Sequence, residues 1–162
     1  MTPMTTVYPL PDAPKVQNIL GMLFDGLDVK AGGAFDQTSE GGAWFGVFVN
    51  DDGTPVALCG ADASLAAGLS AALSMLPPWA AKEAAHSREL SGTMCENLRE
   101  VMNICTRLVL DSSSPHLKLE QLCPIKSLSA AAAAILGNAP ARHEFLLQLP
   151  KYGGGVLSVL SI

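Results

Sequence analysis

The chain has 162 residues, 49% hydrophobic and 15% charged, with a net charge of -5. That is enough apolar material for one domain with a core and too much for a disordered segment. The acidic balance excludes nucleic acid as a partner, because phosphates call for clustered Lys and Arg, and no basic run marks a membrane surface.

Residues 1–13 carry Pro3, Pro9 and Pro11, with no basic start and no continuous apolar run. They read as a flexible leader and not as a signal peptide, which leaves 14–162 as a single domain. Lys15 to Asp25 read as a helix with Val16, Ile19, Leu20, Leu23 and Phe24 on one side. Asp28 to Phe35 form a strand weakened by Gly32 and Gly33. Ala43–Asn50 and Thr54–Cys59 make a hairpin around the turn signal Asn50-Asp51-Asp52-Gly53. Asp62 or Ser64 caps a helix that runs through Leu76 and is closed by Pro77-Pro78. No charged residue falls between Asp62 and Lys82. Prolines, Gly68 and three serines break that stretch, however, and a membrane span needs ~20 predominantly apolar residues.

Glu96 to Leu110 read as the central helix. Leu98, Val101, Met102, Cys105, Leu108 and Val109 have the spacing of one buried face. The opposite stripe is Glu96, Arg99, Glu100, Asn103, Thr106 and Arg107. At about 100° per residue Asn103 takes the centre of this stripe, with Glu100 one turn back. The helix starts at Thr93, where Thr93 and Glu96 match a capping box, or near Ser87 with Gly92 inside it. It ends at the loop Asp111–Pro115.

His116–Cys123 follow as a strand and Ser127–Leu136 as an alanine-rich helix stopped by Gly137-Asn138. Glu144–Leu149 and Val156–Ile162 make a second hairpin around Tyr152-Gly153-Gly154-Gly155. The two halves align: Val16, Asn18, Ile19 and Leu23 of Lys15–Leu23 repeat as Val101, Asn103, Ile104 and Leu108 of Glu100–Leu108. A strand candidate and a hairpin follow each copy. The alternatives are chance sharing between two amphipathic helices and an internal duplication with pseudo-two-fold symmetry.

Glu100-x-x-Asn103 on a helix between two hairpin-bearing halves resembles the CheC/CheX/FliY family of chemotaxis phosphatases, and CheX, the short single-site member, most of all. The resemblance spans most of the chain. It implies an α/β fold of the α+β type, CheC-like, in which two helix-plus-hairpin half-repeats form an antiparallel sheet packed against two long helices. It implies a phosphatase of a CheY-type response regulator in two-component signalling, with Glu100 and Asn103 as catalytic residues. Glu96, Arg99 and Arg107 would lie against the partner. No cofactor belongs to the chain itself, since the regulator would bring its own Mg²⁺. Two positions depart from the family pattern. Glu96 stands where Asp or Ser is frequent, and Thr106 and Arg107 follow the Asn where small residues are favoured. The other half keeps Asn18 but has Lys15 in place of the acid, so it would be silent.

The chemistry suits these residue types. Phospho-aspartate is already reactive toward water, so hydrolysis needs an in-line water and charge stabilisation more than covalent help. A carboxamide both accepts from and donates to a water and stays neutral beside a dianion. Asn103 would orient the water, and Glu100 would pair with the regulator's Lys. Two other readings compete: a non-catalytic adaptor that binds a regulator or dimerises through the same helix, and a structural module with no regulator.

The remaining candidates are weaker. Cys59, Cys95, Cys105 and Cys123 lack Cys-x-x-Cys spacing and read as reduced small hydrophobes, which places the chain in the cytoplasm. His86, His116 and His143 lack ligand spacing, and no metal site is expected. Gly153-Gly154-Gly155 is a turn and not a phosphate cradle. Trp79 reads as core cover rather than as a partner anchor. Val156–Ile162, taken as a sheet edge, would let two copies pair as a homodimer.

Overall fold

In the computed structural model, which describes residues 8–138 and 141–162, two local signals set the first helix. Asp12 caps it by accepting from the Lys15 N–H at 2.9 Å, and Pro14 stands in the first turn, where a missing N–H costs nothing. This helix, α1 (Ala13–Leu20), stops short of the expected Asp25, and the chain turns through Gly21 to Gly26. Residues 1–7 of the expected leader lie outside the described residues. From Tyr8 onward the segment is held: Tyr8 is buried, and its carbonyl accepts from the Ser161 hydroxyl at 3.0 Å. The Pro11 carbonyl accepts from His143 Nδ1 at 2.9 Å.

β1 (Asp28–Ala31) ends before the expected Phe35 because Gly32 and Gly33 take φ of +109° and +115°, which carry the chain out of the sheet. β2 (Trp44–Val49) and β3 (Pro55–Ala61) form the first hairpin. α2 (Ala63–Leu73) is capped by Asp62 and not by Ser64. α2 ends at Leu73, short of the expected Leu76, and Met75 takes φ of +52° in the turn that follows. Pro77-Pro78 do not close it but open α3 (Pro78–Ser87), a helix absent from the sequence reading. α4 (Gly92–Cys105) is the central helix, and β4 (Lys118–Pro124), α5 (Ala130–Asn138), β5 (Ala141–Leu149) and β6 (Gly153–Ser161) complete the order.

The sheet has six strands in the order β1-β5-β6-β3-β2-β4, and every neighbouring pair is antiparallel. The two hairpins meet at its centre, where Cys59 faces Val159. The lone strands β1 and β4 each pair with the first hairpin strand of the other half. Exchanging β1, β2 and β3 for β4, β5 and β6 gives the same order read from the opposite edge. β6 therefore sits between β5 and β3, and the edge expected at Val156–Ile162 is wrong. Its N–H and C=O groups are consumed on both sides, leaving β1 and β4 as the edges.

The fold is α+β with an antiparallel sheet, as the resemblance implies, and among the described residues five helices rather than two long ones accompany it. α1, α2 and α4 bury Val16, Leu20, Leu65, Leu69, Leu98 and Met102 against one face, on Phe48, Cys59, Phe145, Leu147 and Val159. α5 covers part of the other face through Ala132, Ile135 and Leu136, against Phe45, Val47, Leu58 and Leu160. α1 is only eight residues long, so α4, with 14, dominates the first face. Gly46 on β2 lets α4 come close: a Cβ there would lie 3.2 Å from both Met102 Cβ and Leu119 Cδ1. No helix among the described residues is long and apolar enough to cross a membrane.

Candidate functional site

α4 is held on three sides, and only its outer stripe is free. Leu98, Val101, Met102 and Cys105 are buried, as the apolar spacing predicts, and Met94 is buried with them. Ser91 caps the helix by accepting from the Met94 N–H at 3.2 Å, so the helix starts at Gly92 and the Thr93–Glu96 box is not used. Asn97 fixes the flank: its Nδ2 donates to the Ser70 carbonyl at 2.8 Å and to Ser74 Oγ at 2.7 Å, both at the end of α2. At the C-terminus the expected continuation to Leu110 tightens into a 3-10 turn, Thr106–Val109.

Thr106 corrects the expected polar stripe, since it is buried at 6% exposure. Its hydroxyl donates back to the Asn103 carbonyl at 2.5 Å. A hydroxyl that bonds a backbone carbonyl one turn earlier satisfies one of the orphan acceptors at a helix end. It therefore fixes the main chain under Asn103 without engaging the carboxamide. Lys15 lies half-buried on α1, and its Nζ donates to the Leu110 carbonyl at 2.8 Å. The residue that aligns with Glu100 is thus spent on holding α1 to the chain just beyond α4. Asn97, Thr106 and Lys15 are the positioning residues that the sequence reading missed. A period-3.6 pattern marks which face is buried, not which neighbour a flanking polar group will reach.

The stripe that remains is Glu96, Arg99, Glu100, Asn103 and Arg107, all exposed. Glu100 and Asn103 lie one turn apart on the same side of α4. Among the described residues the ion pairs join Lys30 with Asp28, His116 with Asp51 and Arg142 with Glu144. None involves the stripe, so Glu100 is not paired with Arg99 or Arg107. No hydrogen bond among the described residues engages the side chains of these five either; the Thr106 hydroxyl reaches only the main-chain carbonyl of Asn103. An acid and a carboxamide thus stand in solvent on a rigid rod, whose backbone is already ordered, so binding costs only the rotamer freedom of the side chains themselves.

Other polar groups are spent internally. On the α5 side of the sheet Arg142 meets Gln37 Oε1 at 3.0 Å, and Glu144 accepts from the Ser158 hydroxyl at 2.6 Å. Cys59 and Cys105 are buried side by side. The hydrogen bond from Cys105, with burial, holds the Cys59 thiol well above its ordinary range, which leaves it inert as a nucleophile. His86 is exposed on α3, and His116 and His143 make the contacts with Asp51 and Pro11 already described.

No protein-family model matches the chain, and no characterised protein matches it in sequence. Solved structures do match. A chain of the FliM–SpeE complex from H. pylori shares 12% identity over 92% of this chain and 78% of its own, with a TM-score of 0.58. FliY from Thermotoga maritima gives 13% identity, coverage of 92% and 81%, and a TM-score of 0.49. A chain of the CheX–CheY–BeF3–Mg complex from Borrelia burgdorferi gives 11%, coverage of 92% and 97%, and a TM-score of 0.45. At such identities the likeness concerns the fold. The TM-score of 0.58 carries it, and the fold is the CheC/CheX/FliY-like one that the sequence resemblance implies.

Proposed function

We propose that the chain dephosphorylates the phospho-aspartate of a CheY-type response regulator, with α4 as the element that enters the regulator's phosphorylation site. The observation that carries this reading is the joint exposure of Glu100 and Asn103, one turn apart on one helix face and without internal partners. The shared fold supports it, because it puts this helix on the outer layer of the sheet. Asn103 orients the attacking water through its carboxamide and adds no charge beside the phosphoryl group. Glu100 meets the regulator's Lys and so fixes the register of docking. The regulator's Mg²⁺ supplies charge stabilisation at the phosphoryl oxygens. Placing one water correctly is worth ~10²-fold or more in rate.

The test mixes the purified chain with a Mg²⁺-loaded, phosphorylated regulator from the same genome and follows phosphate loss. The reading predicts acceleration by the native chain and none by Asn103→Ala. Binding without acceleration would select the second reading, a regulator-binding adaptor. Arg107, exposed one turn beyond Asn103, favours that reading, because it adds bulk and charge at the point of contact. Absence of both binding and acceleration would sink both readings.

A further inference from the structure

The groove between α3 and the first turns of α4 has no part in that reading. It encloses about 410 Å³, and Leu76, Ala80, Ala84, Leu90 and Met94 line its apolar side. Trp79, which the sequence reading places over the core, instead stands at the lip with 64% of its surface exposed. Its helix begins at Pro78, and the small residues Ala81 and Ala84 turn toward α2, so the bulky indole faces outward.

The rim carries one sign of charge. Glu83 on α3 and Glu89 in the α3–α4 link are both exposed, and no Lys or Arg lines the groove. Neither glutamate forms an ion pair among the described residues. The neighbouring cations are turned away: Lys82 lines a separate hollow with Ser64 and Lys151, and the Arg88 guanidinium donates to the Glu40 carbonyl.

We infer that this groove receives an amphipathic helical segment of a partner protein, apolar along one face and carrying Lys or Arg on its flanks. The apolar floor suits side chains at i, i+3 and i+4, the anchors of a helix seated in a groove. The glutamates select basic flanks and reject acidic ones. A second copy of this chain fits poorly, because it would bring its own Glu83 and Glu89 and a net charge of -5 against the same signs. Residues 1–7, Met-Thr-Pro-Met-Thr-Thr-Val, contain no Lys or Arg and do not match the rim. Met94 and Asn103 are nine residues apart on α4, ~14 Å along the axis. Asn103 is not among the residues that line the groove, and the inference stands independently of the phosphatase reading.

The probe is a synthetic Leu/Lys peptide of about five helical turns with Leu at the helical spacing, and its control replaces every Lys with Glu. Each is titrated into the full chain and followed by tryptophan emission and calorimetry. The chain has two tryptophans, of which Trp79 is exposed and Trp44 half-buried. The expected result is a saturable blue shift and reduced acrylamide quenching with the Lys peptide and none with the Glu peptide. Binding to the double variant Glu83→Lys/Glu89→Lys should be about tenfold weaker. Both positions are exposed, and circular dichroism checks that the variant is folded. Four results would each overturn the inference: no shift at saturating peptide, equal binding of the Glu peptide, unchanged affinity in the double variant, or a dimer in sedimentation that already shields Trp79.

Discussion

Asp62→Ala tests how the two halves are joined between α2 and β6. The Asp62 carboxylate accepts from the Leu65 N–H at the start of α2 at 2.9 Å and from the Val156 N–H of β6, also at 2.9 Å. Gly155 is required beside it, since a Cβ there would lie 2.2 Å from Asp62 Oδ1. One side chain thus ties the first half's helix to the second half's hairpin. Loss of the cap costs about 1 kcal/mol, and a second half-buried N–H left unsatisfied adds ~1–3 kcal/mol. The total of about 2–4 kcal/mol lowers Tm by about 4–16 °C in a chain of this size. Denaturant titration should move the midpoint with little change in slope. The pH dependence adds a sign. Burial pushes the Asp62 carboxyl up from 3.8, outweighing the two N–H donors that pull it down, and Asp36 adds to the rise. A group whose folded pKa is raised contributes fully below its unfolded value and loses that contribution as pH rises through the folded one. The deficit of the variant should therefore be larger near about pH 3 than at neutral pH. A loss under about 0.5 kcal/mol, the scatter of ordinary surface changes, would refute the clamp. A deficit that grows with rising pH would refute the sign.

The other predictions concern α4 and the acid limb. Asn103→Asp keeps the shape but adds a negative charge beside the phosphoryl group. It should lose acceleration as fully as Asn103→Ala with Tm within about 2 °C, as read by phosphate release and calorimetry. Gly46→Val drives two methyl groups toward Met102 and Leu119. Overpacking of about 1–3 kcal/mol should appear as a lower denaturation midpoint together with weaker phosphatase activity, because the helix that carries Asn103 is displaced. Lys15→Met removes the bond to the Leu110 carbonyl. It should cost about 1 kcal/mol and raise hydrogen exchange across the turn after α4. Hydrogen bonds from the Ser113 side chain and backbone, with Ser114, hold the Asp111 carboxyl below 3.8. Its contribution is present above that value and lost as pH falls through the lower folded one, so Asp111→Asn should flatten the acid limb of a stability profile.

Period and punctuation carried much of this molecule. The 3.6-residue spacing from Leu98 to Cys105 depends only on which side chains avoid water, so the buried and exposed sides of α4 follow from the chain itself. The same holds for the hairpins, where Asn50-Asp51-Asp52-Gly53 and Tyr152-Gly153-Gly154-Gly155 interrupt apolar runs. Glu100 and Asn103 were legible because helical geometry puts residues three apart on one face wherever the helix lies.

Other features waited on distant contacts. Pro77-Pro78 looked like a stop and proved to be a start, since α2 already ends at Leu73; Pro at a helix N-terminus and Pro after a C-terminus are the same local signal. Val156–Ile162 looked like an edge because it ends the chain, yet strand order depends on pairing between Cys59 and Val159, 100 positions apart. Thr106 follows the polar period, but the shift to a 3-10 turn rotates it inward. Lys15, Asn97 and Asp62 find partners on other elements, which no local pattern encodes. Composition and periodicity decide what each segment buries. Only the meeting of segments decides what each polar group reaches, and so which of them stay free to meet another molecule.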